Sequence, residues 1–447
     1  MLIYFVAMSF DCKTLMKNCF IKPDRRNIDK FTKFLKCYIK PKYTHELYDD
    51  ISSIIMNFYD QIYILSCMNS ESLLGNSFAF YSLQLEYNSM IYVSRTTTLI
   101  INPGQNSLYE LKRDQVEMKL LAKFDNNYQI CGISNDTFGG IRDEKEKKLL
   151  WIFDKHNKIT KFFAMGNKSY FKDFLSGDFV EKDDDKLIDV AVLNEVFAKI
   201  MITKITTGFN HILFLSSDGY VWSNGSNYYG QCGLDVNTAQ ISTVYLITTL
   251  TDVSDIESGE NHNICLTKNG KCMGFGRNSY FNLGLGFKSR AVSIPIELEI
   301  DQKIVNGACG DNNTAVITQN GKAYLCGYGS NGECGNGSAM RGNRIKQPIC
   351  INELYDDLNN IHFESVTCGR QHTIITSKKR DVYTFGCDSE RKCRLADDVD
   401  DVVYDKKKHH IIQPYKVKGI HKHKDSVLST IAADYMTCVL TRDIFQW

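Results

Sequence analysis

The chain is 447 residues long, with 53 basic and 52 acidic side chains and a formal net charge of +1. That balance supplies no global attraction to nucleic acid or to an anionic membrane surface, and no run approaches the roughly 18 apolar residues that a membrane span needs. The length admits two or three ordinary domains, or one large ring if the chain repeats.

The opening residues 1–10, MLIYFVAMSF, are apolar but short, lack a basic lead and run into Asp11. They read as strand rather than secretory leader. At the other end, residues 431–447 hold the first two strands of a repeat without the strands that should follow. Residues 1–15 and 431–447 are therefore expected to share one closing blade, with residues 2–9 beside 433–447, because closure removes unpaired strand edges.

Residues 16–50 are lysine-rich, and Ile28, Phe31, Phe34, Leu35, Tyr38 and Ile39 fall on a short helical stripe. An inter-blade segment packing that stripe on the ring is expected. Residues 51–101 contain β-type runs, IYIL at 62–65 and FAFYSLQL at 78–85, without glycine punctuation, and are expected to form a degenerate blade. A second degenerate blade is expected at 130–177. There the apolar run 149–153 precedes Gly166-Asn-Lys-Ser-Tyr170-Phe171, which matches Gly276-Arg-Asn-Ser-Tyr280-Phe281, and a charged insertion occupies 142–148.

The regular pattern begins at 205 with ITTGFNHILFLSSDGYVWSNGSNYYGQCGLD, two short strands joined by an Asp-Gly turn and followed by a glycine-rich loop. Its first glycine recurs as Gly208, Gly259, Gly310 and Gly369, with Ala433 in a fifth copy, at spacings of 51, 51, 59 and 64. Its closing glycine recurs as Gly225, Gly276, Gly327 and Gly386, and His211, His262 and His372 share a position with Asn313 and Met436. A period near 50 argues for a propeller. Clear repeats at 205–235, 256–286, 305–337 and 365–396, two degenerate blades and the shared closing blade give an all-β, seven-bladed propeller forming one domain over 1–447.

The combination of Gly208-x-x-His211, Asp218-Gly219, Gly225 and Asn227 through Gly230-Gln231-Cys232-Gly233 resembles the regulator of chromosome condensation repeat. The resemblance implies a seven-bladed propeller of about 50-residue blades. It also brings two partner classes, since the family's best-known member is a guanine-nucleotide exchange factor for the small GTPase Ran that binds nucleosomes.

A histidine recurring once per blade reads as scaffold, its ring nitrogen bonding backbone at the blade turn. Most of the 16 cysteines align with apolar or small residues of other copies: Cys272 with Val221 and Val382, Cys232 and Cys334 with Leu283. They read as small core hydrophobes in a reducing compartment, so the protein is expected to be intracellular, cytoplasmic or nuclear. No CxxC occurs, and no metal is expected. Gly327-Tyr-Gly329-Ser-Asn-Gly332 has the spacing of a dinucleotide loop but aligns with the ordinary repeat loop and opens no helix, so no cofactor is expected.

No nucleophile, base or paired-carboxylate arrangement stands out from the repeat, and no catalytic residue is assigned. The expected function is a non-enzymatic protein-interaction scaffold for an unidentified protein partner. Exchange on a small GTPase is the alternative and a chromatin-associated adaptor the third reading; neither membrane nor nucleic acid is an expected partner. Binding is placed on the loops that do not repeat. One carries Arg341, Arg344 and Lys346. The other, following the acidic run 397–401, carries Lys406, Lys407, Lys408, His409 and His410.

Overall fold

The computed structural model describes residues 191–388 without a break, and outside that stretch 62–68, 79–84, 90–93, 97–102, 106–112, 119–125, 128–133, 147–154, 156, 159–166, 188–189, 393, 404–405, 409–417, 427–432 and 437–442. All of these fall in the unit Ile62–Ile444. The expectations for 1–15 and 16–50 lie outside the described residues.

The described residues form seven antiparallel sheets, the blades of an all-β propeller. Blades 4 to 7 are the clear repeats, each longer than its sequence signature. Blade 4 runs Ile202–Thr207, His211–Ser216, Val221–Ser226 and Gln240–Leu246 in that hydrogen-bonded order. Blade 5 runs Val253–Ser258, His262–Thr267, Cys272–Asn278 and Ser289–Glu297, and blade 6 runs Ile304–Cys309, Asn313–Thr318, Ala323–Tyr328 and Arg344–Cys350. Blade 7 runs Phe363–Cys368, His372–Ser377, Val382–Cys387 and His410–Lys416, with Tyr404–Asp405 added at its outer edge.

The early blades differ from expectation. The last strands, Val427–Ala432 and Thr437–Arg442, pair with Ile62–Met68 and then Ala79–Gln84, placing Leu65 opposite Leu440. Residues 51–101 therefore do not make one blade. Their first two strands join the C-terminal pair, while Met90–Val93 and Thr97–Asn102 open blade 2 with Ser107–Lys112 and Lys119–Lys123. Blade 3 outruns the expected 130–177 at both ends, as Tyr128–Ile133, Lys147–Asp154, Ile159–Gly166 and Ile188–Asp189. Lys147 and Lys148, read as insertion, begin a strand that carries the buried Leu150 and Trp151.

Burial explains this order. The second strands of blades 4, 6 and 7 are buried at every position, being flanked on both edges and covered on both faces by neighbouring blades; in blade 4 the strand reads as the apolar run Ile212–Leu215, while blades 6 and 7 intersperse Thr with Ala, Val and Ile. Leu213, Leu215 and Val221 of blade 4 pack on Val253, Ile256 and Phe275 of blade 5, and Ile264 and Cys272 of blade 5 on Ile304 and Val316 of blade 6. Between blades 3 and 4, the short helix Ala191–Val196 leads to Phe197, wedged between Phe162 and Phe214 at centroid distances of 5.5 and 5.0 Å. Burying each such ring contributes about 1.5–3 kcal/mol. The cysteines follow suit: the eleven whose side chains are described are free, and of these all but Cys131 are buried.

Candidate interaction face

In each complete blade the turn between strands one and two lies at the same end as the loop between strands three and four, so these segments form one face; the two–three hairpins form the other. The first turn closes through the Gly208 N–H donating to the His211 carbonyl at 2.9 Å, repeated at Gly259/His262, Gly310/Asn313 and Gly369/His372. A Cβ on Gly208 would fall 2.0 Å from His211 Cε1 and 2.6 Å from the Gly259 carbonyl oxygen. The glycine is required because the imidazole lies over it.

The histidine reaches across to the next blade rather than to backbone in its own turn. His211 Nε2 is 2.7 Å from Asn263 Oδ1, and His262 Nε2 is 3.1 Å from Thr314 Oγ1. Asn263 Nδ2 donates to the Gln231 carbonyl at 2.8 Å, which leaves Oδ1 as acceptor and makes His211 the Nε2–H donor. Thr314 and Thr373 grip the preceding blade likewise, donating to the Asn282 and Glu333 carbonyls at 2.6 and 2.8 Å. Burial lowers the His211 pKa to about 4 and that of His262 to about 3, so both rings are neutral.

The three–four loops are built on one amide. Asn227 Oδ1 accepts the Cys232 N–H at 3.0 Å while Nδ2 donates to the Leu234, Asp235 and Thr238 carbonyls. Blade 6 has Gly329 at that position, and Asn343 fills the space from outside, donating to the Gly329 and Ser338 carbonyls at 3.1 and 3.0 Å. This fixes the segment that carries Arg341 and Arg344. The loops lean onto the next blade: a Cβ on Gly230 would meet Ser293 Cα at 2.8 Å, and one on Gly284 would meet Pro348 Cδ at 3.0 Å.

That lean assembles a ladder of arginines and tyrosines across blades 4 to 6. Arg290 Cζ lies 4.1 Å from the Tyr228 ring centroid, and Tyr228 meets Tyr229 edge-on at 5.1 Å. Arg277 Cζ sits between Tyr229 and Tyr280, 5.1 and 4.8 Å from their centroids, and Arg344 Cζ is 5.0 Å from the same Tyr280. The Nε atoms of Arg277 and Arg344 are buried without a hydrogen-bond partner, an arrangement that costs about 1–3 kcal/mol per donor. Beside them Phe281 holds φ at +62°, where blades 4 and 6 have Gly230 and Gly332, and Lys346 Nζ lies 5.9 Å from its ring. Nearer the centre of the face, Arg370 Nε is instead 3.1 Å from Asp311 Oδ2.

Of the sequence-derived candidates, Arg341 is an exposed turn residue, while Arg344 and Lys346 lie in the outer strand of blade 6 rather than in a loop. His409 (φ +56°) and His410 lead into the outer strand of blade 7; Lys406, Lys407 and Lys408 lie outside the described residues. The structure thus joins Arg344 and Lys346 to Tyr228, Tyr229, Arg277, Tyr280 and Arg290, which the sequence reading left inside the repeat. For Arg277 the signal is a column that fails to repeat: Ser226, Arg277, Tyr328 and Cys387 occupy one position.

Two family patterns, both described as the regulator of chromosome condensation (RCC1) repeat, match residues 202–231 and 253–281, and 218–266 and 320–376. The chain carries regulator of chromosome condensation repeats. Over 192 residues the repeat region is 32% identical to the probable E3 ubiquitin-protein ligase HERC4 of Mus musculus, covering 42% of this chain and 17% of the ligase. Over 199 residues it is 27% identical to the regulator of chromosome condensation of Xenopus laevis, covering 41% of this chain and 46% of that protein. The matches thus span less than half of either relative. Among solved structures, human WBSCR16 aligns with a TM-score of 0.64 at 15% identity, covering 86% of this chain and 100% of its own. Prp20p from Saccharomyces cerevisiae aligns with a TM-score of 0.64 at 16% identity, covering 88% and 95%. At those identities the likeness to both structures is one of fold.

Proposed function

We propose that this chain is a non-enzymatic docking platform whose working surface is the loop face of blades 4 to 6. The observation that carries this reading is a contrast. Repeating polar residues, such as His211, Asn263 and Thr314, are spent on joints between blades, whereas Arg277, Arg290 and Arg344 face one side with no ion-pair partner among the described residues. An intracellular, reducing setting belongs to the same reading, supported by the free, buried thiols.

Guanine-nucleotide exchange on a small GTPase is the second reading. It is favoured by likeness to the regulator of chromosome condensation and to Prp20p, which is described with its binding to Gsp1p and histones. A chromatin-associated adaptor is the third. Purified chain mixed with a panel of small GTPases, each loaded with fluorescent nucleotide, separates the first two: unchanged release fits a platform, and acceleration by catalytic amounts of the chain fits exchange. Chromatin binding requires affinity that falls steeply with salt.

A further inference from the structure

We infer that the ladder across blades 4 to 6 is a receptor for an acidic, extended segment of a partner protein. The inference rests on the platform reading and gives its chemistry. Arg277 and Arg344 both stack on Tyr280, which keeps their guanidinium carbons within roughly 10 Å of each other, and no carboxylate among the described residues pairs with either. Two like charges held together with buried, unpartnered Nε donors call for an anion. Arg290 on one side and Lys346 on the other extend the cationic line over neighbouring blades.

Carboxylates at positions i and i+2 of an extended strand stand about 7 Å apart, a spacing that fits inside the roughly 10 Å bound set by the shared Tyr280 ring. Planar guanidinium forks match carboxylates two-pronged. A single-stranded nucleic acid fits less well. Base stacking uses open aromatic faces, whereas Tyr280 carries both Arg277 and Arg344, and Arg290 and Arg277 each occupy one face of Tyr228 and Tyr229. Asn343 holds the Arg344 segment rigid before any partner arrives, so little ordering cost remains for binding.

The test is fluorescence anisotropy on the full chain with three labelled probes: a 12-residue peptide alternating Asp or Glu with Ser, the same peptide with Asn and Gln in place of the acids, and a 12-nucleotide oligo-dT. The acidic peptide is expected to bind at least tenfold more tightly than either other probe and to weaken at least tenfold with R277Q/R344Q. Should the double variant not fold, Arg290→Gln, at an exposed position, is expected to weaken it about threefold. Equal binding of the neutral peptide, tighter binding of oligo-dT, or unaltered affinity in the variants overturns the inference and leaves the platform standing. If no protein-derived probe binds and a photo-crosslinker at Tyr228 captures nothing in cells, both fall.

Discussion

His211 of blade 4 donates its Nε2–H to Asn263 of blade 5 across 2.7 Å, and Asn263 in turn holds the blade 4 loop at the Gln231 carbonyl. The repeat's most conspicuous polar residue is therefore a rivet between blades. In chemical denaturation, His211→Ala and Asn263→Ala should each cost about 1–3 kcal/mol. The double variant should show a coupling of at least about 0.5 kcal/mol; strictly additive losses would remove the joint.

The same burial sets an acid limit. Unfolded histidine takes up its proton near pH 6.5, whereas folded His211 waits until about pH 4 and His262 until about pH 3, chiefly because burial disfavours the charged ring. Between those values the unfolded chain binds protons that the folded chain refuses. The rings' contribution is thus intact above pH 6.5 and drains as pH falls. His211→Gln should lose less melting temperature than the parent between pH 7 and pH 5; parallel curves would contradict this.

Glu333 works in the opposite direction. Burial pushes its carboxyl up to about 8, against the pull of the Asn331 backbone and side-chain donors. An unfolded glutamate ionises near pH 4.3, so the folded form keeps a proton that the unfolded form has lost, and stability falls as pH rises from there toward 8. Glu333→Gln, the residue blade 4 carries as Gln231, should raise the melting temperature more at pH 8 than at pH 5. A gain independent of pH would mean the carboxyl is already ionised.

Blade 6 stands on a borrowed amide. Asn343→Ala removes donors to the Gly329 and Ser338 carbonyls and to Asn336 Oδ1. A loss of about 1–2 kcal/mol is expected, together with faster proteolytic cleavage between residues 336 and 344. Cleavage at the parent rate would show that the loop is held by something else.

Glycine and histidine spacing made blades 4 to 7 legible because each of those residues answers a steric demand that recurs, as the imidazole over Gly208 shows. The outer strands were not legible: Gln240–Leu246 is largely exposed, so no core pattern marks it. The sheet built from both ends of the described chain needs Ile62–Met68 beside Thr437–Arg442, a pairing between distant segments that no local period encodes. Cys272 was legible as core, and the structure buries it completely with Val221 and Val382. The ladder was half legible. Arg344 stands out in a non-repeating segment, whereas Arg277 and Tyr280 sit within a repeat, where scaffold and surface residues share one pattern.

The docking face is probed with a photo-crosslinking phenylalanine analogue at Tyr228, 52% exposed at the end of the ladder, and at Asn269 in the opposite hairpin of blade 5. In cells, irradiation should yield a discrete covalent adduct from position 228 that disappears when R277Q/R344Q is added, and none from position 269. Equal adducts from both positions, or an adduct at 228 indifferent to the two arginines, would contradict the assignment of this face as the docking surface.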